Sequence, residues 1–412
     1  MSSIIFYGAG KYANENFSRW EKVGLTPVCF ADADKSKHGK SICGGILIHP
    51  LDRAISNYPD YEMYLTVGVD ALDKVTRYLS NEMNIPRERI KYPDAVEVRK
   101  GCKFIGTRIQ FFGEKFGTCC TQRRCAKVLS YSEIFDENFE KYRNFCSDLI
   151  SKLRSGEKSI CDGCAQLREG IWPVEPRLDV IGFDTMYQED MCNFDCIYCE
   201  RKKYMETKAF KVSLIDTIRK FEQISMGEHR NIVLASGEIT ISPYRDEVLD
   251  VIKRNSWNVD VFTNASVFSQ KLADLIRAGY AKIQVSMDAG TSATFAKIKG
   301  IDCWKKVVFN LQKYAENAKS AGQIELKYIF LPDINDNEAD IIGFTELAKQ
   351  VSANVVISSD SRYIDNPLPE KTYSYALMLG EICREHGIWF RLATAHFSKQ
   401  TYEKWNAALT TI

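Results

Sequence analysis

The chain has 412 residues, 45% apolar and 26% charged, and its 55 basic and 54 acidic side chains leave a net charge of +1. That length predicts about two or three domains of ordinary globular composition and excludes a disordered chain, while near-neutrality leaves no bulk field to draw nucleic acid or an anionic membrane. No apolar run approaches the ~18 residues of a spanning helix, and the N-terminus lacks the basic and apolar regions of a secretory signal, so a soluble cytoplasmic protein is expected.

Ile4–Tyr7 reads as a strand, and Gly8-Ala9-Gly10-Lys11-Tyr12-Ala13 as a glycine turn opening a helix whose N-terminus suits a phosphate. Val28–Ala31 is a second strand ending at Asp32, about twenty residues on, where dinucleotide-binding folds place an acid on the ribose. Strand, glycine turn, helix, strand and acid predict a Rossmann-like domain over residues 1–95. Gly8, Gly10 and Asp32 are its candidate nucleotide contacts, with Asp34 as a substitute for Asp32. A ligand-free βα unit has the same pattern, and the two readings stand evenly. The stretch through Asp34, Lys35, Gly39, Gly44, Gly45, Ile48 and Pro50 resembles small domains found beside sugar-modifying and polysaccharide-synthesis enzymes.

Ten of the 14 cysteines fall between residues 102 and 199. Without a secretion signal such crowding points to metal or catalysis before disulfides. Over residues 96–178 the candidates are Cys119, Cys120, Cys161 and Cys164, with Cys125 as a substitute, a thiolate set that suits an iron–sulfur cluster or zinc. Cys29, Cys43, Cys303 and Cys383 are isolated and read as small apolar residues. The five histidines show no ligand spacing, which disfavours zinc-hydrolase chemistry.

From about Leu178 short β-rich runs alternate with longer amphipathic stretches, the pattern of βα units on a parallel sheet. The expected strands are Leu178–Asp184, Asn231–Ala235, Val259–Thr263, Lys282–Met287, Ile324–Leu331 and Asn354–Ser358, with Ile388–Ala393 as a seventh. Ser213 is expected to cap a helix that Gly227 ends. Val267–Ala278 should stop at Gly279, and Cys303–Ala321 at Gly322. Chemistry in such folds collects at the C-terminal ends of the strands, and a cysteine-rich loop follows the first of them.

That loop reads Asp190-Met191-Cys192-Asn193-Phe194-Asp195-Cys196-Ile197-Tyr198-Cys199. Three thiols on one short loop converge on a single soft centre and leave a position open, whereas structural zinc and most [4Fe–4S] clusters take four ligands. A zinc knuckle and three incidental thiols are the bland alternatives. The spacing resembles the signature of the radical S-adenosylmethionine (radical SAM) superfamily, with Tyr198 at its aromatic position. Ser236-Gly237-Glu238 is similar to the family's Gly-Gly-Glu turn, with Ser236 in place of the first glycine; Ser286-Met287-Asp288 is similar to its Ser-x-Asp turn, and Asn264 closes the third strand at the same level. The resemblance covers about residues 179–394. It implies a partial (β/α)6 TIM barrel over residues 179–412, a [4Fe–4S] cluster on Cys192, Cys196 and Cys199, and SAM contacts from Tyr198, Gly237, Glu238, Asn264, Ser286 and Asp288. It also implies reductive cleavage of SAM to a 5′-deoxyadenosyl radical that abstracts hydrogen, with an electron donor such as flavodoxin or ferredoxin as partner.

Phe116-Gly117-Thr118-Cys119-Cys120, then Glu133-Ile134, then Cys161-Asp162-Gly163-Cys164 is similar to part of the SPASM segment of many radical SAM enzymes, though here it precedes the barrel. By that resemblance the connector holds an auxiliary [4Fe–4S] cluster and points to a peptide substrate, while the N-terminal domain points to a nucleotide-linked sugar or glycan. The competing reading is a non-catalytic metal-thiolate regulatory protein with a nucleotide-sensing Rossmann domain. A nicotinamide-dependent oxidoreductase is disfavoured because no catalytic His, Lys or Tyr constellation accompanies Gly8.

Overall fold

The structure is a computed structural model. It describes residues 2–69, 71–102, 104–112, 115–117, 129–130, 133, 135, 139–162, 164, 167–174, 180–183, 191–199, 212–223, 231–235, 237–363, 366–393, 397 and 399–411. The chain divides into two compact units: residues 1–108, 140–179 and 226–229 form the first, and 109–139, 180–225 and 230–412 the second. The expected connector, 96–178, is therefore shared between them. Among the described residues no helix is long and apolar enough to cross a membrane.

In the first unit, β1 (Ser3–Tyr7), β2 (Cys29–Ala31), β3 (Ser41–Ile42), β4 (Ile46–His49), β5 (Tyr61–Leu65) and β6 (Ile90–Lys91) form one sheet in the order β3-β4-β2-β1-β5-β6. All its pairings are parallel except β3 with β4. The helix Lys11–Lys22 lays Phe17 and Trp20 edge to face on Phe6, with Phe17 tilted on Phe30, and this aromatic packing fixes it on the sheet. A separate antiparallel pair, β7 (Val96–Gly101) with β11 (Arg168–Pro173), was not expected from the sequence.

The second unit is one sheet of ten strands. At one edge β8 (Arg108–Phe112), β9 (Lys115–Gly117) and β10 (Leu129–Ser130) run antiparallel. Seven strands follow in chain order: β12 (Val180–Phe183), β13 (Asn231–Leu234), β14 (Asn258–Thr263), β15 (Ala281–Ser286), β16 (Ile324–Phe330), β17 (Asn354–Ser359) and β18 (Phe390–Leu392). Each pairs in parallel with the next. The strands thus fall where the alternating pattern predicts, to within a few residues.

Two helix ends differ from expectation. Ser213 does cap a helix, its Oγ accepting from the Asp216 amide, but that helix is Leu214–Glu222 and ends before Gly227, which lies outside the described residues. Trp304–Ala315 stops well short of Gly322, because the chain turns at Asn317, whose Nδ2 donates to the Lys313 carbonyl, and at Gln323, whose Oε1 accepts from the Lys319 and Ser320 amides. Gln270–Ala278 ends as expected on Gly279.

One face of the parallel sheet is covered by helices. Tyr328 packs edge to face on Phe344 of Glu338–Gln350, and Phe330 on Trp405 of Lys399–Thr411. The other face is concave. Arg391 on β18 donates to Glu325 on β16 (3.0 Å) and to Gln284 on β15 (3.4 Å). In a flat sheet β15 and β18 would lie about 14 Å apart, three strand spacings, so the sheet must curl to bring those side chains together.

Candidate functional site

The cysteine loop is fastened to the end of a helix. The last carbonyls of Ser292–Lys299 have no partner within the helix, and two of them accept from the loop: Lys299 from the Asp195 amide and Ile298 from the Ile197 amide, both at 3.0 Å. Gly300 follows in the left-handed region (φ +71), and a Cβ there would lie 2.9 Å from the Asp195 carbonyl. The glycine therefore both ends the helix and admits the loop. Asn193 donates to Ser266 (2.8 Å) and accepts from Asn264 (2.9 Å), the Met191 carbonyl accepts from the Glu238 amide, and Phe194 packs edge to face on Phe295.

Cys192 and Cys196 are half-buried and Cys199 is exposed. The Cys199 amide donates to the Cys196 carbonyl, so these two thiols share a tight turn. Asn264 Nδ2 lies 3.8 Å from Cys192 Sγ, placed to donate to a thiolate there. Burial pushes the free Cys196 thiol up to about 11. Among the described residues no three Cys, His, Asp or Glu side chains gather closely enough for a single ion. A cubane cluster places its thiolates on different irons, so it needs three soft donors around one opening rather than at one point. Three thiols with an amide N–H beside one sulfur fit that requirement.

Tyr198 ties the loop to the strand ends. Its hydroxyl donates to Asp288 (2.6 Å) and accepts from Lys299 Nζ (2.8 Å), while Lys299 is also ion-paired with Asp288. Asp288 is completely buried and sits at φ +57, just beyond β15. Its other oxygen accepts from the Ile329 amide (2.8 Å), and its carbonyl accepts from Asn335 Nδ2 (2.7 Å). Burial first, then the Asp288 carboxylate, holds the Tyr198 hydroxyl well above the ordinary range, so it stays a donor. Sequence reasoning missed Lys299 and Asn335. The signal for Lys299 was a cation in the last turn of a glycine-ended helix.

Glu238 is 2% exposed, and its carboxylate is already engaged. One oxygen accepts from the Thr240 amide (3.0 Å), the Thr240 hydroxyl (2.6 Å) and the Thr263 hydroxyl (2.6 Å), and the other from the Asn264 amide. Each carboxylate oxygen has about two acceptor sites, so the first is fully occupied and the second keeps one. Burial pushes the group upward against the pull of those same donors. Gly237 precedes it at φ +53, in the turn beyond β13. Ser236 lies outside the described residues. Ser286 is half-buried on the concave face, directly opposite Lys327 of β16.

In the first unit, Gly8 has φ +110, and a Cβ there would meet Val67 Cγ1 at 2.5 Å. Gly10 precedes the helix, and Asp32 folds back onto this turn: its carboxylate accepts from the Ala9 amide (2.7 Å), the Asp34 amide (2.8 Å) and Lys37 Nζ (2.9 Å). Asp34 caps the short turn Lys35–Lys37. Cys161 and Cys164 share a turn, the Cys164 amide donating to the Cys161 carbonyl at 3.0 Å. Cys161 and Cys102 pack on the apolar cluster of Ile105, Leu149, Ile150 and Leu153. Cys119, Cys120 and Cys125 lie outside the described residues.

Comparison with known proteins bears on the second unit. Residues 190–345 match the model of the Radical SAM superfamily. A probable GTP 3′,8-cyclase of Saccharolobus islandicus is 25% identical over 172 residues, 40% of this chain and 52% of that protein. The GTP 3′,8-cyclase of Acaryochloris marina is 27% identical over 164 residues, 36% of this chain and 48% of that protein. The chain thus spans about half the length of the curated relatives it matches. Among solved structures, Streptococcus suis SuiB bound to the precursor peptide SuiA aligns with a TM-score of 0.39 at 12% identity, over 51% of this chain and 48% of SuiB. The family match takes in the three-cysteine loop, the Gly237-Glu238 turn and Asp288 in the order in which the fold sets them at the strand ends. Residues 190–345 thus resemble the radical SAM superfamily, enzymes that work with a [4Fe–4S] cluster and S-adenosylmethionine.

Proposed function

We propose that this chain abstracts hydrogen from a nucleotide-linked sugar or glycan, or from a peptide, with Cys192, Cys196 and Cys199 holding the cluster. Cys192, Cys196 and Cys199 would hold a [4Fe–4S] cluster, which would supply the electron for cleaving SAM to methionine and a 5′-deoxyadenosyl radical, with a flavodoxin or ferredoxin as its source. The observation that carries the reading is the fastening of the three-cysteine loop to Lys299 and, through Tyr198, to buried Asp288. Those bonds fix where the thiols stand relative to the strand ends. Asn264 steadies Cys192, and Glu238 steadies the turn that carries Asn264. Gly237 and Ser286 would border SAM, while Asp288, itself completely buried, would act through Tyr198.

We read the seven parallel strands in chain order as a partial (β/α)6-type barrel with one added strand, and the first sheet as a Rossmann-like domain. The nucleotide-linked substrate is favoured because two relatives act, by name, on GTP, and because the parallel β4-β2-β1-β5-β6 run of the first sheet suits the Rossmann-like reading. Asp32 would contact a ribose only by giving up its bonds to the glycine turn. The peptide reading rests on the Cys161–Cys164 turn and its likeness to a SPASM segment, with an auxiliary cluster completed by Cys119 or Cys120. Replacing Cys192, Cys196 and Cys199 together with Ala should end reductant-driven 5′-deoxyadenosine release while the circular dichroism spectrum is kept. Release at the wild-type rate would refute the assignment.

A further inference from the structure

Lys327 has no role in the arrangement described so far. It lies on β16, 8% exposed, on the concave face with Glu325 and Ile329. Among the described residues its ammonium meets no acceptor and no carboxylate at ion-pair distance. Isolated buried charges are costly, and proteins keep them where something pairs with them. Burial pushes this ammonium down to about 8, against the opposing pull of Asp288.

The charges around it are already matched. Below Lys327 on the same face, Lys282 and Arg391 both pair with Glu325, and Asp260 stands in register beside Lys282. Above it, Lys299 is paired with Asp288. Among the described residues Lys282 and Arg391 thus share Glu325 below, Lys299 has Asp288 above, and Lys327 has no ion-pair partner. Its neighbour in register on β15 is the half-buried Ser286.

We infer that Lys327 is a subsite on the concave face for a singly charged oxyanion of the substrate, a carboxylate or a phosphodiester. The inference rests on reading that face as the place where substrate meets the family's chemistry. A lone ammonium is a point charge that grips one oxyanion without the planar fork of an arginine. Closing the subsite would complete the charge balance of the face and hold one end of the substrate a fixed number of strand residues below Asp288.

The test uses the reconstituted full chain with acetate, dimethyl phosphate and chloride at matched ionic strength, followed by urea unfolding. At ten times its dissociation constant, a single-site ligand lowers the unfolding constant about elevenfold. Wild type should show that saturable effect with one oxyanion and not with chloride. Lys327→Met should show only the chloride response, and Lys327→Arg should keep part of the effect. Saturation by acetate alone identifies a carboxylate, and by dimethyl phosphate alone a phosphodiester. The same saturation in Lys327→Met, or none in wild type, overturns the subsite. Loss of SAM binding by Lys327→Met in equilibrium dialysis also overturns it, assigning the ammonium to the carboxylate of SAM. Reductant-driven 5′-deoxyadenosine release reports separately on the enzymatic reading: wild type that releases it but binds neither oxyanion loses the subsite alone. Wild type that binds an oxyanion but releases none keeps the subsite and loses the reading of its chemistry.

Discussion

Lys327→Met should make the second unit more stable at neutral pH, and the gain should disappear in alkali. Burial lowers this ammonium from 10.5 to about 8, so the folded chain holds its proton less tightly than the unfolded chain. Below about pH 8 both states are protonated, and the full penalty is present. Between about pH 8 and 10.5 the folded state releases its proton first, so the unfolded state binds more and stability rises with pH. At ~1.4 kcal/mol for each tenfold loss of proton affinity, the penalty has an upper limit of about 3 kcal/mol. Relaxation around the amine brings the expected gain to about 1–3 kcal/mol. Methionine matches lysine in length and carries no charge to desolvate. The measurement is urea unfolding of both proteins in chloride buffers from about pH 6.5 to 10.5, tracking the transition of the second unit. A difference that does not change with pH would refute the reasoning, as would a variant less stable than wild type at pH 7; either result would mean the ammonium is solvated or paired.

Gly300→Ala should cost about 1–2 kcal/mol for the left-handed backbone alone, and its Cβ would press on the Asp195 carbonyl; iron content after reconstitution should fall more than the circular dichroism signal does. Lys299→Met leaves the Asp288 carboxylate buried without its ion partner and should cost about 3–5 kcal/mol in urea unfolding, most of it restored by adding Asp288→Asn. Glu238→Gln turns an amide N–H toward a group of donors, so stability should fall by about 1–3 kcal/mol together with SAM affinity. A fall in SAM affinity alone would mean the carboxylate faces the ligand.

The parallel sheet was legible because its signal is local and repeated. Each of β12 to β18 is a short apolar run, and most are followed by a helix with its own cap, such as Ser269 ahead of Gln270–Ala278 or Asn337 ahead of Glu338–Gln350. The β7–β11 pair was not legible: its strands are about seventy residues apart, and Val98 and Glu97 alternate with Arg99 as they would on any exposed loop. The end of Trp304–Ala315 was misplaced because a glycine is a strong stop signal, whereas Asn317 and Gln323 turn the chain through bonds that composition does not announce.

The site divides in the same way. The cysteines announce themselves by spacing, and so does the Ser-x-Asp turn. The bonds that set their positions join residues far apart in sequence: Tyr198 to Asp288, Lys299 to Tyr198, Asn193 to Asn264 and Ser266. A motif identifies a group able to bind, but whether that group is free to do so depends on partners that only the fold brings together. Glu238 and Lys327 are the two sides of this. Glu238 stands in a binding motif, yet Thr240, Thr263 and Asn264 already occupy most of its carboxylate. Lys327 stands in no motif and reads in sequence as one charged residue of an alternating strand, yet it is buried without an ion-pair partner among the described residues. Conserving the loop would therefore preserve the chemistry of the family, while a change at Lys327 would alter which substrate that chemistry meets.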